Sequence, residues 1–138
     1  MRRYGFDAEA AALARDISGA ASHFLLNQLP ELYAGLQRDP TGFPVQYVDA
    51  NVPQAWAAGT PFVLLQAMLG IQQDAPGGKL YVDPALPAWL PDVKLIDLRL
   101  GRRRFDIRFW REGKETLFEV LKGKRNAVER RAVSALHI

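Results

Sequence analysis

The chain has 138 residues, of which 49% are apolar, and a net charge of +3, values that suit one globular domain or two small subdomains. It contains no cysteine and only two distant histidines, so disulfides, thiolate metal sites and a Cys nucleophile are excluded, and we expect no metal and no cofactor. It has no apolar run of about 18 residues and no secretory signal pattern, so we expect a cytoplasmic protein that does not cross a membrane.

The first predicted element is a helix that begins at Asp7 and ends before Pro30. Asp7 is a suitable N-cap, and apolar residues recur at steps of three and four through Leu13, Ile17 and Phe24. Small residues occupy the same face: Ala10, Ala14, Ala20 and Ala21. We therefore expect another element to pack closely on this helix.

A long connection, residues 29–52, follows the helix. Loops of this length are usually functional or disordered. This one carries apolar side chains whose burial would fix it against the protein: Leu32, Tyr33, Phe43, Val45, Tyr47 and Val48. Glu31 follows Pro30 and is flanked by an aromatic residue, a setting that suits either a general base or a solvated loop acid.

The second predicted helix has Pro53 in its first turn and Gly70 at its C-terminal cap. Pro61 cannot donate a backbone hydrogen bond, so we expect a kink or a restart there. Beyond Pro61 the helix is apolar nearly all round, which predicts that it is covered on several sides.

The periodicity then changes to alternation. Residues 79–84 form a short predicted strand, and residues 93–121 form three antiparallel strands of a meander with one buried face and a tight hairpin at Gly113. The fold class is therefore α+β, with a helical segment over residues 1–75, an antiparallel β subdomain over 76–122 and a basic tail over 123–138. The tail shows weak helical spacing through Val128, Val133 and Leu136, which suits either an extension or a disordered end.

Positive charge is concentrated late in the chain. Residues 1–90 carry five basic and eight acidic side chains, whereas residues 91–138 carry 13 and seven. The densest run, Arg102 to Arg104, lies beside Gly101 in a predicted turn, where charged side chains are solvated, and acids are interleaved along the flanking strands. This pattern does not favour nucleic-acid binding.

The stretches "LPELYAG", "FPVQY" and "PQAWAAGTPFVLLQAMLG" resemble the C-terminal part of amylo-α-1,6-glucosidase and glycogen debranching-type glycoside hydrolases. The likeness runs from about Tyr4 to Val120 and rests on one spaced set of residues: Glu31, Gly35, Pro44, Gln54, Ala55 and Trp56. The resemblance implies that the helices are the last pair of an (α/α)6 toroid, followed by a small antiparallel β-sheet subdomain.

By the same resemblance, Glu31 corresponds to the catalytic base that activates water. Tyr33, Tyr47, Gln54 and Trp56 are candidate substrate-binding residues. Each also has a structural alternative: the tyrosines could anchor the loop, Gln54 could tie it down, and Trp56 could pack in the core, which is the favoured interpretation for that residue.

An inverting hydrolase also needs a carboxylic acid about 6.5–9.5 Å from its base. In the family this acid lies far upstream, and Asp39 and Asp49 have no motif that supports such a role. We therefore expect this chain to be inactive alone, with α-glucan as its substrate in a complete enzyme; the alternative is a non-catalytic association or glucan-binding module. Apolar surface around Ile17, Phe24, Leu65 and Leu69 would remain exposed and predicts a homo-oligomer or a complementary chain.

Overall fold

A computed structural model describes residues 2–37, 39 and 42–133. The chain is α+β and forms two compact units, one built from residues 12–64 and the other from the described residues before and after them. The division falls inside each of the two α-helices. In the described part of the chain, no helix combines the length and the apolar character needed to cross a membrane.

Helix α1 spans Asp7–Ala21. Ala10, Ala14 and Ala20 are buried, as the stripe of small residues predicts. A short 3-10 turn, Leu25–Asn27, follows, and Leu26 within it has a φ of 54°. This left-handed residue redirects the chain before Pro30.

Helix α2 spans Ala55–Leu69 and continues through Pro61, so of the two outcomes expected there, a kink or a restart, the restart does not occur. Pro53 lies outside the helix rather than in its first turn. Gly70 ends the helix as predicted, with a φ of 61°. The N–H of Ile71 donates to the carbonyl of Gln66, and that of Gly70 donates to the carbonyl of Ala67, both at 3.1 Å. These two bonds form a Schellman cap.

The unit outside residues 12–64 contains two three-stranded sheets. One has the order β1 (Gln72–Asp74), β2 (Lys79–Val82), β6 (Val128–Arg130), and the other has the order β3 (Asp92–Leu100), β4 (Arg103–Glu112), β5 (Glu115–Lys122). Strands β3 to β5 form the predicted meander, with two-residue turns at Gly101 and Gly113.

Strand β6 corrects the prediction for the basic tail. Val128, assigned to a weak helical spacing, instead begins a strand that pairs in parallel with β2, opposite Leu80. Leu136 of that spacing lies outside the described residues.

One apolar core serves both sheets. Phe105, Ile107 and Phe109 alternate inward along β4 and are fully buried. Leu69, at the end of α2, joins the same cluster, so the expectation that it would be exposed is wrong. On the outer face, Arg104 contacts Asp97 at 2.6 Å, as expected for a solvated face.

Within residues 12–64, the long connection folds back on itself. The N–H of Ala34 donates to the carbonyl of Val45 at 2.9 Å, and the N–H of Tyr47 donates to that of Leu32 at 3.0 Å. The apolar side chains expected to fix the loop by burial are largely exposed, Val48 most of all at 89%. Backbone hydrogen bonds, together with ring contacts of Phe24, therefore hold this segment in place.

Candidate functional site

A cavity of about 350 Å³ lies within residues 12–64. Its wall combines α1, the start of the connection and the first turns of α2, and the lining residues are Ile17, Leu29, Pro30, Glu31, Tyr33, Trp56, Ala57 and Thr60. Three of the five residues singled out from the sequence, Glu31, Tyr33 and Trp56, therefore share one cavity.

Glu31, at the start of the connection, is hydrogen-bonded to Asn51, near the end of the connection. Its N–H donates to the carbonyl of Asn51 at 3.0 Å, and its Oε2 accepts from Asn51 Nδ2 at 2.8 Å and from the Asn51 N–H at 3.3 Å. The Asn51 side chain first, then its backbone N–H, and finally the side chain of Gln54 hold the pKa of Glu31 below its ordinary value. The carboxylate therefore stays ionised at neutral pH, with a fixed orientation.

Tyr33 and Gln54 flank this carboxylate in different ways. Burial raises the pKa of Tyr33, so its phenol remains a neutral donor and acceptor. Gln54 contributes least to the lowered pKa of Glu31, and its Oε1 accepts from the Ala55 N–H at 2.9 Å at the start of α2. Tyr47 does not line the cavity; its backbone pairs with Leu32 and its side chain is exposed.

Trp56 corrects the interpretation favoured by its sequence position. It lies in the first turn of α2, yet it is 66% exposed at the cavity wall rather than packed in a core. A large exposed aromatic face beside an ionised carboxylate is an arrangement suited to binding a ring with both apolar and hydroxyl surfaces.

Sequence reasoning missed Asn51, which orients the carboxylate, and Thr60, which lines the cavity. Asn51 lies two residues before Pro53 in a turn-rich segment, and this position is its only sequence signal. Thr60 has a simple structural partner, because its hydroxyl donates to the carbonyl of Trp56 at 3.3 Å.

Among the described residues that line this cavity, Glu31 is the only carboxylate, and neither Asp39 nor Asp49 lines it. Within the described ranges, no group of three or more His, Asp or Glu side chains is placed to hold a metal ion. The chain matches no protein-family model, no curated protein and no solved structure.

Proposed function

We propose that residues 12–64 supply the general base and one wall of the substrate site of a glycogen-debranching-type α-1,6-glucosidase. The observation that carries this proposal is the shared cavity of Glu31, Tyr33 and Trp56. The substrate is an α-glucan and the cellular location is the cytoplasm.

Glu31 would act by accepting a proton from water. Its hydrogen bonds to Asn51 favour the ionised form, which a base requires, and fix the direction of the free lone pairs. The same bonds lower the basicity of Glu31. Its effectiveness as a base would therefore depend on its position and on a strongly electrophilic substrate carbon more than on its proton affinity.

The proposal places the general acid outside this chain. The base and acid of an inverting glycosidase stand about 6.5–9.5 Å apart to leave room for water. Because no second carboxylate is found among the described residues that line the cavity, we expect no hydrolysis by this chain alone. A polypeptide segment that supplies the acid would complete the site.

Binding of a short α-1,6-linked glucose oligosaccharide to the chain tests the substrate wall. Trp56→Ala should weaken binding by up to about tenfold, since a stacked aromatic ring contributes about 0.5–1.5 kcal/mol in comparable contacts. Phe62→Ala is the matched control, because Phe62 is an exposed ring on the same helix that does not line the cavity. Equal binding by the wild type and Trp56→Ala would count against the proposal.

The catalytic role is tested in a longer polypeptide that cleaves the α-1,6 linkage. There, Glu31→Gln should abolish turnover while keeping the Asn51 hydrogen bonds and the folded state. Unchanged turnover would assign Glu31 to loop closure alone.

A second candidate function is a non-catalytic association or glucan-binding module. It is favoured by one observation: most of the large apolar side chains that remain exposed lie in residues 12–64, among them Leu25, Leu26, Val48, Trp56, Phe62 and Val63. Contact with a second copy or a complementary chain would cover such a surface. In this case Glu31→Gln would be silent, and the chain would co-sediment with glycogen or self-associate.

A further inference from the structure

An open cleft of about 500 Å³ lies in the β-containing unit. Its wall is formed by the first two turns of α1, the segment after β2, the β4–β5 hairpin and β6. None of the residues lining the Glu31 cavity is part of it.

Two arginines in the cleft are anchored to one hydrogen-bonded pair. Arg111 donates to the carbonyl of Leu86 at 2.8 Å, and Arg130 donates to the carbonyl of Thr116 at 2.6 Å. Leu86 and Thr116 are themselves joined, because the Leu86 N–H donates to Thr116 Oγ1 at 2.9 Å. Thr116 is only 5% exposed and Leu86 only 2%, so both guanidinium groups are hydrogen-bonded to buried residues.

Both guanidinium groups retain donors for a ligand. Each has five N–H donors in a planar fork, and the carbonyl contacts use only part of that capacity. Arg130 also lies 5.8 Å from the centre of the Phe118 ring, a contact that restricts its plane.

The cleft has an excess of positive charge. Among the described residues, no carboxylate lies within 4.0 Å of Arg111, Lys114 or Arg130. Of the two acids in the wall, Asp7 is already paired with Arg2 at 2.6 Å, which leaves Glu115 against three cations. Elsewhere the pattern differs: Arg104 and Arg108 both have carboxylate partners.

We propose that this cleft binds a phosphate group, free or as a monoester, through Arg111, Lys114 and Arg130. A phosphomonoester carries about −1.5 to −2 charges at pH 7, which matches three cations offset by one acid. Its three terminal oxygens can accept paired hydrogen bonds from two guanidinium groups at once, whereas a carboxylate has only two oxygens to offer them. The ligand is either free phosphate or a phosphorylated sugar, and the site does not depend on the function proposed for Glu31.

Titration of the chain with inorganic phosphate and, separately, with a hexose 6-phosphate tests the site. Three charge-assisted contacts in an open cleft correspond to a dissociation constant of about 1 mM at low salt. Tighter binding of inorganic phosphate would identify free phosphate as the ligand, and tighter binding of the hexose 6-phosphate would identify the sugar ester. Equal affinity would show that the cleft recognises the phosphate group alone. Binding of neither probe at several times that concentration would overturn the proposal.

Variants locate the binding. Arg130→Gln and Lys114→Gln should each weaken phosphate binding by about tenfold. Lys114 is an exposed turn residue, so Lys114→Gln should fold normally and remains a valid test if Arg130→Gln is unfolded. Arg102→Gln is the matched control, since Arg102 is an exposed turn residue outside the cleft. An equal loss with Arg102→Gln, or no loss with Lys114→Gln, would refute a defined site. Glu31→Gln should leave phosphate binding unchanged, which keeps this test separate from that of the proposed function.

Discussion

Replacing Gly70 by alanine tests how tightly the chain is packed where it leaves α2. Gly70 has a φ of +61°, and a Cβ placed on it would lie 2.6 Å from the carbonyl oxygen of Asp83. The left-handed conformation costs an L-residue about 1–2 kcal/mol. Relieving contact with a backbone atom adds about 1–3 kcal/mol, because the neighbouring chain must shift. We therefore expect Gly70→Ala to lower the free energy of unfolding by about 2–5 kcal/mol.

Two other glycines separate these contributions. Gly113 has the same φ, but an added Cβ would meet nothing within 4 Å, so Gly113→Ala should cost only about 1–2 kcal/mol. Gly59 lies inside α2 with open space around an added Cβ, so Gly59→Ala should stabilise by about 0.5–1 kcal/mol. Urea denaturation followed by circular dichroism gives all three values. If Gly70→Ala and Gly113→Ala were equally destabilising, the close approach to Asp83 would be refuted.

Three further predictions concern charge and association. Asn51→Ala should raise the pKa of Glu31 towards its ordinary value, which an NMR titration of the carboxyl carbon measures; an unchanged pKa would mean that Asn51 does not orient the carboxylate. The hydrogen bond from Arg104 lowers the pKa of Asp97 in the folded state. The stability that this pair contributes is therefore present above about pH 4 and is lost as the pH falls through the lower folded pKa. Arg104→Gln should reduce this dependence of the unfolding free energy on pH in denaturation curves, and an unaltered dependence would rule out the pair. Light scattering at micromolar concentration should detect a dimer or larger species that Phe62→Ser reduces, whereas a monodisperse wild-type monomer would contradict association.

The meander and the end of α2 were predictable because their signals are local. Alternation through Phe105, Ile107 and Phe109 places three side chains on one face whatever the rest of the chain does. Gly70 is the residue type that accepts the left-handed conformation of a Schellman cap. Strand β6 was missed because three residues carry no periodicity, and its partner β2 lies far away in sequence.

The candidate site was predictable only in part for a similar reason. The spacing of Glu31 and Tyr33 in the sequence predicted that both belong to a functional site. The contact between Glu31 and Asn51, in contrast, forms only because the connection folds back on itself. That return depends on backbone hydrogen bonds such as Ala34 to Val45, which no side-chain pattern encodes. Expected burial of the loop side chains was wrong because apolar character indicates a preference for burial without identifying a surface that provides it.

The side chains along α2 illustrate this last point and bear on function. Leu69 is fully buried because the β strands supply a core, whereas Trp56, Phe62 and Val63 stay exposed on the same apolar helix. Covering each of these three side chains would gain about 1–3 kcal/mol. A carbohydrate in the Glu31 cavity would use only Trp56, because Phe62 and Val63 do not line it. Sugar binding therefore cannot account for the exposure of Phe62 and Val63, which favours a protein partner on that part of α2. Trp56→Ala and Phe62→Ser should accordingly separate the two properties, the first weakening oligosaccharide binding and the second weakening association.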